Sequence, residues 1–101
     1  MKLIYIAGKY RGKTINEIHD NIEAARKVAV KWWSYGFAVI CPHLNSAMMD
    51  GAADDQIFID GGIEILSRCD TIVMMKGWEE SLGACDELEL AHELDKQVVY
   101  E

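Results

Sequence analysis

Apolar and polar positions come in blocks along this chain, and the period changes from block to block. Lys2–Ala7 (KLIYIA) is a short apolar run rich in β-formers and ended by Gly8, which predicts a buried strand. Thr14 and Glu17 stand in the S/T-x-x-E spacing of a capping box and predict a helix start. The stripe that follows, Ile18, Ile22, Ala25, Val28, Ala29 and Trp32, keeps helical spacing and stops at Gly36. Phe37–Cys41 predicts a second strand, closed by Pro42. His43–Gln56 is polar and without clear period, a long loop of the kind that small domains keep for function. Ile57–Ser67 predicts a short helix weakened by Gly61 and Gly62, and Thr71–Met75 a third strand. Ser81 caps a helix to about Leu94, and Gln97–Tyr100 predicts a fourth strand.

Strands that read as continuous apolar runs and alternate with helices imply a parallel sheet covered on both faces. The expected fold is α/β: a three-layer, Rossmann-like or flavodoxin-like domain of about four or five strands. At 101 residues the chain makes one domain, residues 1–101. Ligands of such sheets bind where loops leave the carboxyl ends of the strands. That rule confines the search for function to Gly8–Thr14, His43–Gln56 and Gly77–Gly83.

Composition narrows the partners. A net charge of −7 argues against a polynucleotide or an anionic membrane. No apolar run approaches the ~20 residues needed to span a bilayer, and Leu3–Ala7 is too short for a secretory signal. Cys41, Cys69 and Cys85 are odd in number, lack CxxC spacing and sit among apolar neighbours. They are expected to be buried free thiols in a reducing cytoplasm. His19 and His92 have no Cys or His at ligand spacing, so neither a metal nor another cofactor is expected.

Charge is also unevenly spread. Lys2, Lys9, Arg11 and Lys13 open the chain before any acid appears, and three of them lie in the G-K-Y-R-G-K-T loop. A glycine-bounded basic loop feeding a helix N-terminus suits an anion, although neither P-loop nor G-x-G-x-x-G spacing is present. A solvated basic turn is the alternative. In S-L-G-A-C-D-E-L-E-L-A, Ser81 and Gly83 again offer a hydroxyl and open backbone at a helix start. Asp86, Glu89 and Glu93 share one helical face, whereas Glu87 lies roughly 130° away beside the apolar stripe. A carboxylate there is a candidate nucleophile or general base, or a boundary Glu whose stem packs while its head reaches water.

These segments together resemble the nucleoside 2-deoxyribosyltransferase superfamily, in particular its 2′-deoxynucleoside 5′-phosphate N-hydrolase branch. I-Y-I-A-G-K-Y-R-G is similar to the family's first strand and phosphate-side loop, and C-P-H-L-N to the end of its second strand. E-I-L-S-R-C-D-T-I-V-M-M is similar to the helix and strand before the active site, and S-L-G-A-C-D-E to the run that ends on the nucleophile. The resemblance implies Glu87 as the nucleophile at the anomeric carbon and Tyr5 as its hydrogen-bonding partner. It implies a 5′-phosphate held by Gly8, Arg11, Gly12, Ser81 and Gly83, and His43 lining the base pocket. The small-molecule partner would be a nucleotide or nucleoside, and the assembly a homodimer or higher oligomer.

Two departures stand out. The family's acid/base aspartate aligns with Gly62, and Asp60 reaches that place only if the glycine-rich turn is not regular helix. Asp50, Asp54 and Asp55 are the other loop carboxylates available as the acid. Family members also continue past the last strand, whereas this chain stops at Glu101. A nucleotide-binding module without turnover therefore competes with the enzyme. A third reading, an interaction protein, rests on Trp32 and Trp33, which cannot both face the core. Trp78 suits either a base stack or a packed loop.

Overall fold

In a computed structural model, which describes residues 1–101, four strands form one parallel sheet. The strands are β1 (Leu3–Ala7), β2 (Ala38–Ile40), β3 (Thr71–Met74) and β4 (Gln97–Tyr100), in the order β2-β1-β3-β4. The helices are α1 (Ile15–Ser34), α2 (Pro42–Asn45), α3 (Asp55–Ser67) and α4 (Leu82–Glu93), with a short 3-10 turn at Trp78–Glu80. The α/β fold is thus the expected one, with four strands.

Alternation along β1 builds two cores. Ile4 and Ile6 face α1 and pack with Ala25, Ala29, Val39, Cys41, Val73 and Met75. Tyr5 and Ala7 face α3 and α4 and pack with Leu66, Cys69, Ile72, Met74, Ala84, Leu88 and Ala91. Successive strand residues point to opposite faces, so one strand anchors both helical layers. α1 meets its cluster with Ala25 and Ala29, and α4 meets the other with Ala84 and Ala91 beside Leu88.

The ends of the elements follow local chemistry. The Thr14 hydroxyl accepts from the Glu17 N–H at 3.1 Å, and the Glu17 carboxylate reaches back to the Lys13 N–H. This is the predicted capping box with its return bond taken one residue earlier. Gly36, at φ +93°, ends α1 in the left-handed conformation that glycine adopts freely. Two expectations are corrected. Part of the polar stretch His43–Gln56 is helical: Pro42 at the first position starts the short α2, and α3 begins at Asp55 instead of Ile57. Pro at a helix start is the sequence signal for the former.

Sheet order then places the site. The chain leaves β1 through α1 toward one edge, and leaves β2 toward the other side, so connections diverge between the carboxyl ends of β1 and β3. A crevice opens at such a switch point.

Candidate active site

A cavity of about 750 Å³ occupies that crevice, between the β1–α1 loop, α2, α3 and the start of α4. Its size falls within the roughly 300–1,000 Å³ usual for small-molecule sites. Tyr5, Gly8, Arg11, His43, Ser81, Gly83 and Glu87 all line it, together with Tyr10, Asp50, Asp55, Phe58 and Gly62.

Glu87 stands one turn into α4, and the Tyr5 hydroxyl donates a hydrogen bond to its Oε2. Tyr5 is buried and comes from the centre of β1, so a rigid strand holds the phenol against the carboxylate. Burial, with the neighbouring Asp86 carboxylate adding to it, pushes Glu87 up to about 7, against the lowering effect of the Tyr5 hydrogen bond. Burial and the Glu87 charge push the Tyr5 phenol far above its ordinary value, so it stays a donor. Glu87 is therefore a carboxyl poised between its two protonation states near neutrality.

The rim is assembled from loops. Gly8 is buried, and a Cβ there would come within 2.7 Å of Met75 Sδ and 2.9 Å of Met75 Cβ. Only glycine lets the chain leave β1 this close to the end of β3. The Ser81 hydroxyl caps α4 by accepting from the Ala84 N–H at 3.1 Å, and its own proton remains free to donate. His43 is buried, and burial lowers its pKa. Its Nε2 lies 3.0 Å from the Lys9 carbonyl, which only accepts, so Nε2 carries the proton. Tyr10 donates to Asp50 at 2.9 Å, and burial together with that contact raises the phenol.

Charge in the cavity is mixed. Arg11 pairs with Asp55 at 3.0 Å and Lys9 with Glu80 at 3.4 Å, joining the β1–α1 loop to both neighbouring walls. All four side chains are largely exposed, so these pairs contribute little stability and exchange readily with an incoming anion.

A family model described as a domain of unknown function (DUF4406) matches residues 2–100. The chain belongs to the DUF4406 family. No curated protein matches it. Among solved structures it is similar to a 2-deoxyribosyltransferase from Leishmania mexicana, at 20% identity and a TM-score of 0.71. That match covers 99% of this chain and 63% of the other, so the chain spans under two-thirds of that relative's length. It is also similar to a 2-deoxyribosyltransferase from Bacillus psychrosaccharolyticus, at 16% identity and a TM-score of 0.74, covering 97% of this chain and 70% of that one. At these identities the likeness is one of fold.

Two of the expected site residues of this DUF4406 chain lie apart from the cavity. Gly12 lines the open groove on the α1 side of the loop, where a Cβ would meet Glu17 Cβ at 2.5 Å. Asp60 is exposed and accepts from Gln56 Nε2 at 2.8 Å, because α3 continues as regular helix through Gly61 and Gly62. The irregular turn that would carry Asp60 inward is absent. Gly62 does face the site, with its would-be Cβ 3.3 Å from the Tyr5 hydroxyl. Of the other carboxylates considered, Asp50 and Asp55 line the cavity and Asp54 does not.

The remaining sequence expectations find their places outside the cavity. Trp78 packs near Tyr100, with ring centroids 6.0 Å apart. Trp32 packs against Tyr35 and Phe37 while Trp33 is 55% exposed. The three cysteines are free thiols; Cys41 and Cys69 are buried as expected, whereas Cys85 is only half-buried. No helix is long and apolar enough to cross a membrane. The ion pairs and the Tyr10–Asp50 bond were not foreseen, since each joins residues about 40 or more positions apart.

Proposed function

We propose that this protein cleaves the N-glycosidic bond of a (deoxy)nucleoside 5′-monophosphate with retention at the anomeric carbon. The observation that carries the reading is the Glu87 carboxyl, held by the Tyr5 hydroxyl at the cavity wall with its pKa raised to about 7. The fold shared with 2-deoxyribosyltransferases supports it.

In this reading ionised Glu87 attacks the anomeric carbon. The C–N bond breaks, its electron pair leaves with the base, and the sugar is held as a glycosyl ester. Water, or a second base, then attacks the same carbon and releases Glu87. Two displacements restore the original configuration. The 5′-phosphate lies toward Arg11, Gly8, Ser81 and Gly83, with Gly12 shaping the loop from behind. The base lies toward His43 and α3. The departing base needs a proton. Asp60 points away from the cavity, so Asp50, Asp55 or water supplies it in this scheme. The enzyme needs no cofactor and acts in the cytoplasm as a homodimer or higher oligomer.

A second reading, a nucleotide-binding module without turnover, is favoured by one observation. At Gly62, beside the Tyr5 hydroxyl, no carboxyl stands to protonate the leaving base. One experiment separates the two. Base release from 2′-deoxynucleoside 5′-monophosphates is followed by chromatography for the wild type and for Glu87→Ala. The enzyme reading expects release that the substitution abolishes. Equal release from both proteins removes Glu87 from the mechanism, and ligand-induced thermal stabilisation without release supports the binding module.

A further inference from the structure

Asn21 lies on α1, two turns from its start and partly buried, on the same side as the apolar Ile18 and Ile22. Amides are poor residues for a helix interior, so a polar side chain there calls for a partner. It has two. Its Nδ2 group donates to the carbonyls of Tyr10 at 3.0 Å and Arg11 at 3.3 Å. The preceding carbonyl, that of Lys9, is taken by His43 Nε2 at 3.0 Å. Three consecutive carbonyls of the β1–α1 loop are therefore captured by side chains.

The peptide bonds of the chain are all trans. In a planar trans unit the carbonyl and the following N–H point in opposite directions. Capturing the carbonyls of Tyr10 and Arg11 thus turns the N–H groups of Arg11 and Gly12 away from Asn21. Neither N–H finds an acceptor within the chain. Asn21 stands with Gly12 in the groove on the α1 side of the loop, outside the cavity, whereas Tyr10 lines the cavity and Arg11 borders both.

We propose that Asn21 is a positioning residue for anion recognition: it withdraws two carbonyls from the site and aims the Arg11 amide at the phosphate of the ligand. This rests on the 5′-phosphate part of the proposed function. A loop of the same composition without Asn21 is free to present its carbonyl oxygens to the anion, which would repel it. His43 acts differently on the preceding unit: from the cavity side it occupies the Lys9 carbonyl, so that this oxygen is not left bare toward an anion. Asn21 touches neither substrate nor reacting atoms, so it acts on binding and not on the chemical step.

The test uses Asn21→Asp in the full chain. The substitution keeps size and shape, but it sets an acceptor-only carboxylate against two carbonyls. The Michaelis constant for a deoxynucleoside 5′-monophosphate is expected to rise about tenfold or more, with kcat within about twofold. For the unphosphorylated nucleoside both constants stay unchanged. In parallel, inorganic phosphate and the monophosphate should raise the melting temperature of the wild type and not that of the variant, a readout that needs no turnover. Asn21→Ser, too short to span both carbonyls, should move the same quantities in the same direction and serves if the Asp variant does not fold. A wild type indifferent to phosphate overturns the 5′-phosphate reading and this inference with it. A wild type that prefers phosphate, with variants that keep the preference, overturns the role of Asn21 alone. Equal losses for phosphorylated and unphosphorylated substrates reduce Asn21 to a structural residue and also overturn it.

Discussion

At the scale of residues, burial of the Tyr5–Glu87 pair between β1 and α4 sets the pH behaviour of the site. Burial drives the Glu87 carboxyl up to about 7, while the Tyr5 hydroxyl favours its ionised form. A nucleophile must be ionised, so kcat/KM is expected to rise with pH to a plateau, with its midpoint near 7. Tyr5→Phe removes a donor to the carboxylate, and the midpoint should move to higher pH in a pH–rate profile. The same shift costs stability. Below the ordinary carboxyl value of 4.5, folded and unfolded chains both carry the proton. As pH rises from there toward 7, the unfolded chain ionises while folded Glu87 does not, so stability falls over this window. Glu87→Gln, uncharged at any pH, should be more stable than wild type at pH ~8, by up to about 3 kcal/mol, with the gain vanishing near pH ~4. Denaturant melts at both pH values measure it, and a constant difference between them would count against a buried, titrating Glu87. Of these residues, Glu87 was legible in the sequence, because helical geometry set it apart from the solvated Asp86, Glu89 and Glu93. Asn21 was not. Its partners are main-chain carbonyls, which no residue letter marks.

At the scale of elements, α3 decides which carboxyl would reach the glycosidic bond in the proposed reaction. A helix turns about 100° per residue, so continuing α3 through Gly61 and Gly62 fixes Asp60 outward and position 62 inward. Gly61 faces open space, and Gly61→Ala should stabilise the chain by about 0.5–1 kcal/mol without touching activity. Gly62→Asp carries a carboxyl to within reach of the Tyr5–Glu87 pair. If leaving-group protonation limits turnover, base release should rise by ~10-fold or more, toward the 10²–10⁴ typical of general acids. A second negative charge also raises Glu87 further, so the midpoint of the pH profile should move up with it. No gain in release, with the fold intact by melting, would mean that protonation is not the limiting step. The elements themselves were largely legible: Thr14 and Ser81 cap the helices they predicted, and β1, β3 and β4 lie within a residue of their apolar runs. What escaped was the single turn of α2 and the early start of α3, where a polar loop composition hides helical backbone. The place of Asp60 depends on the regularity of α3, which only the backbone decides.

At the scale of the whole molecule, the chain exposes more surface than its mass warrants. A monomer of 11.4 kDa exposes roughly 5,800 Å² by the usual scaling, and this one exposes 6429 Å². The excess has an apolar component around the cavity mouth. Leu82 is 85% exposed, and Ile59 and Ile63 on α3 are exposed as well. Leu82, Ile59 and Ile63 also line the cavity, so a second copy packed on this rim would close the site from above. Another exposed group, Val30, Trp33 and Tyr35, lies at the far end of α1. Proximity to the cavity favours the first face for the proposed dimer, because covering it would exclude water from the proposed glycosyl ester. Light scattering on the wild type at micromolar concentration should therefore return twice the chain mass. Leu82→Asp places a charge in the middle of that contact and should return the monomer mass, while Trp33→Asp leaves the dimer intact. The reverse pattern would move the interface to the end of α1. In that case the cavity stays open in the assembly, and water, present at far higher concentration than any base, becomes the favoured acceptor of the sugar. Hydrolysis rather than transfer should then dominate, and product analysis in the presence of excess free base reads that difference directly.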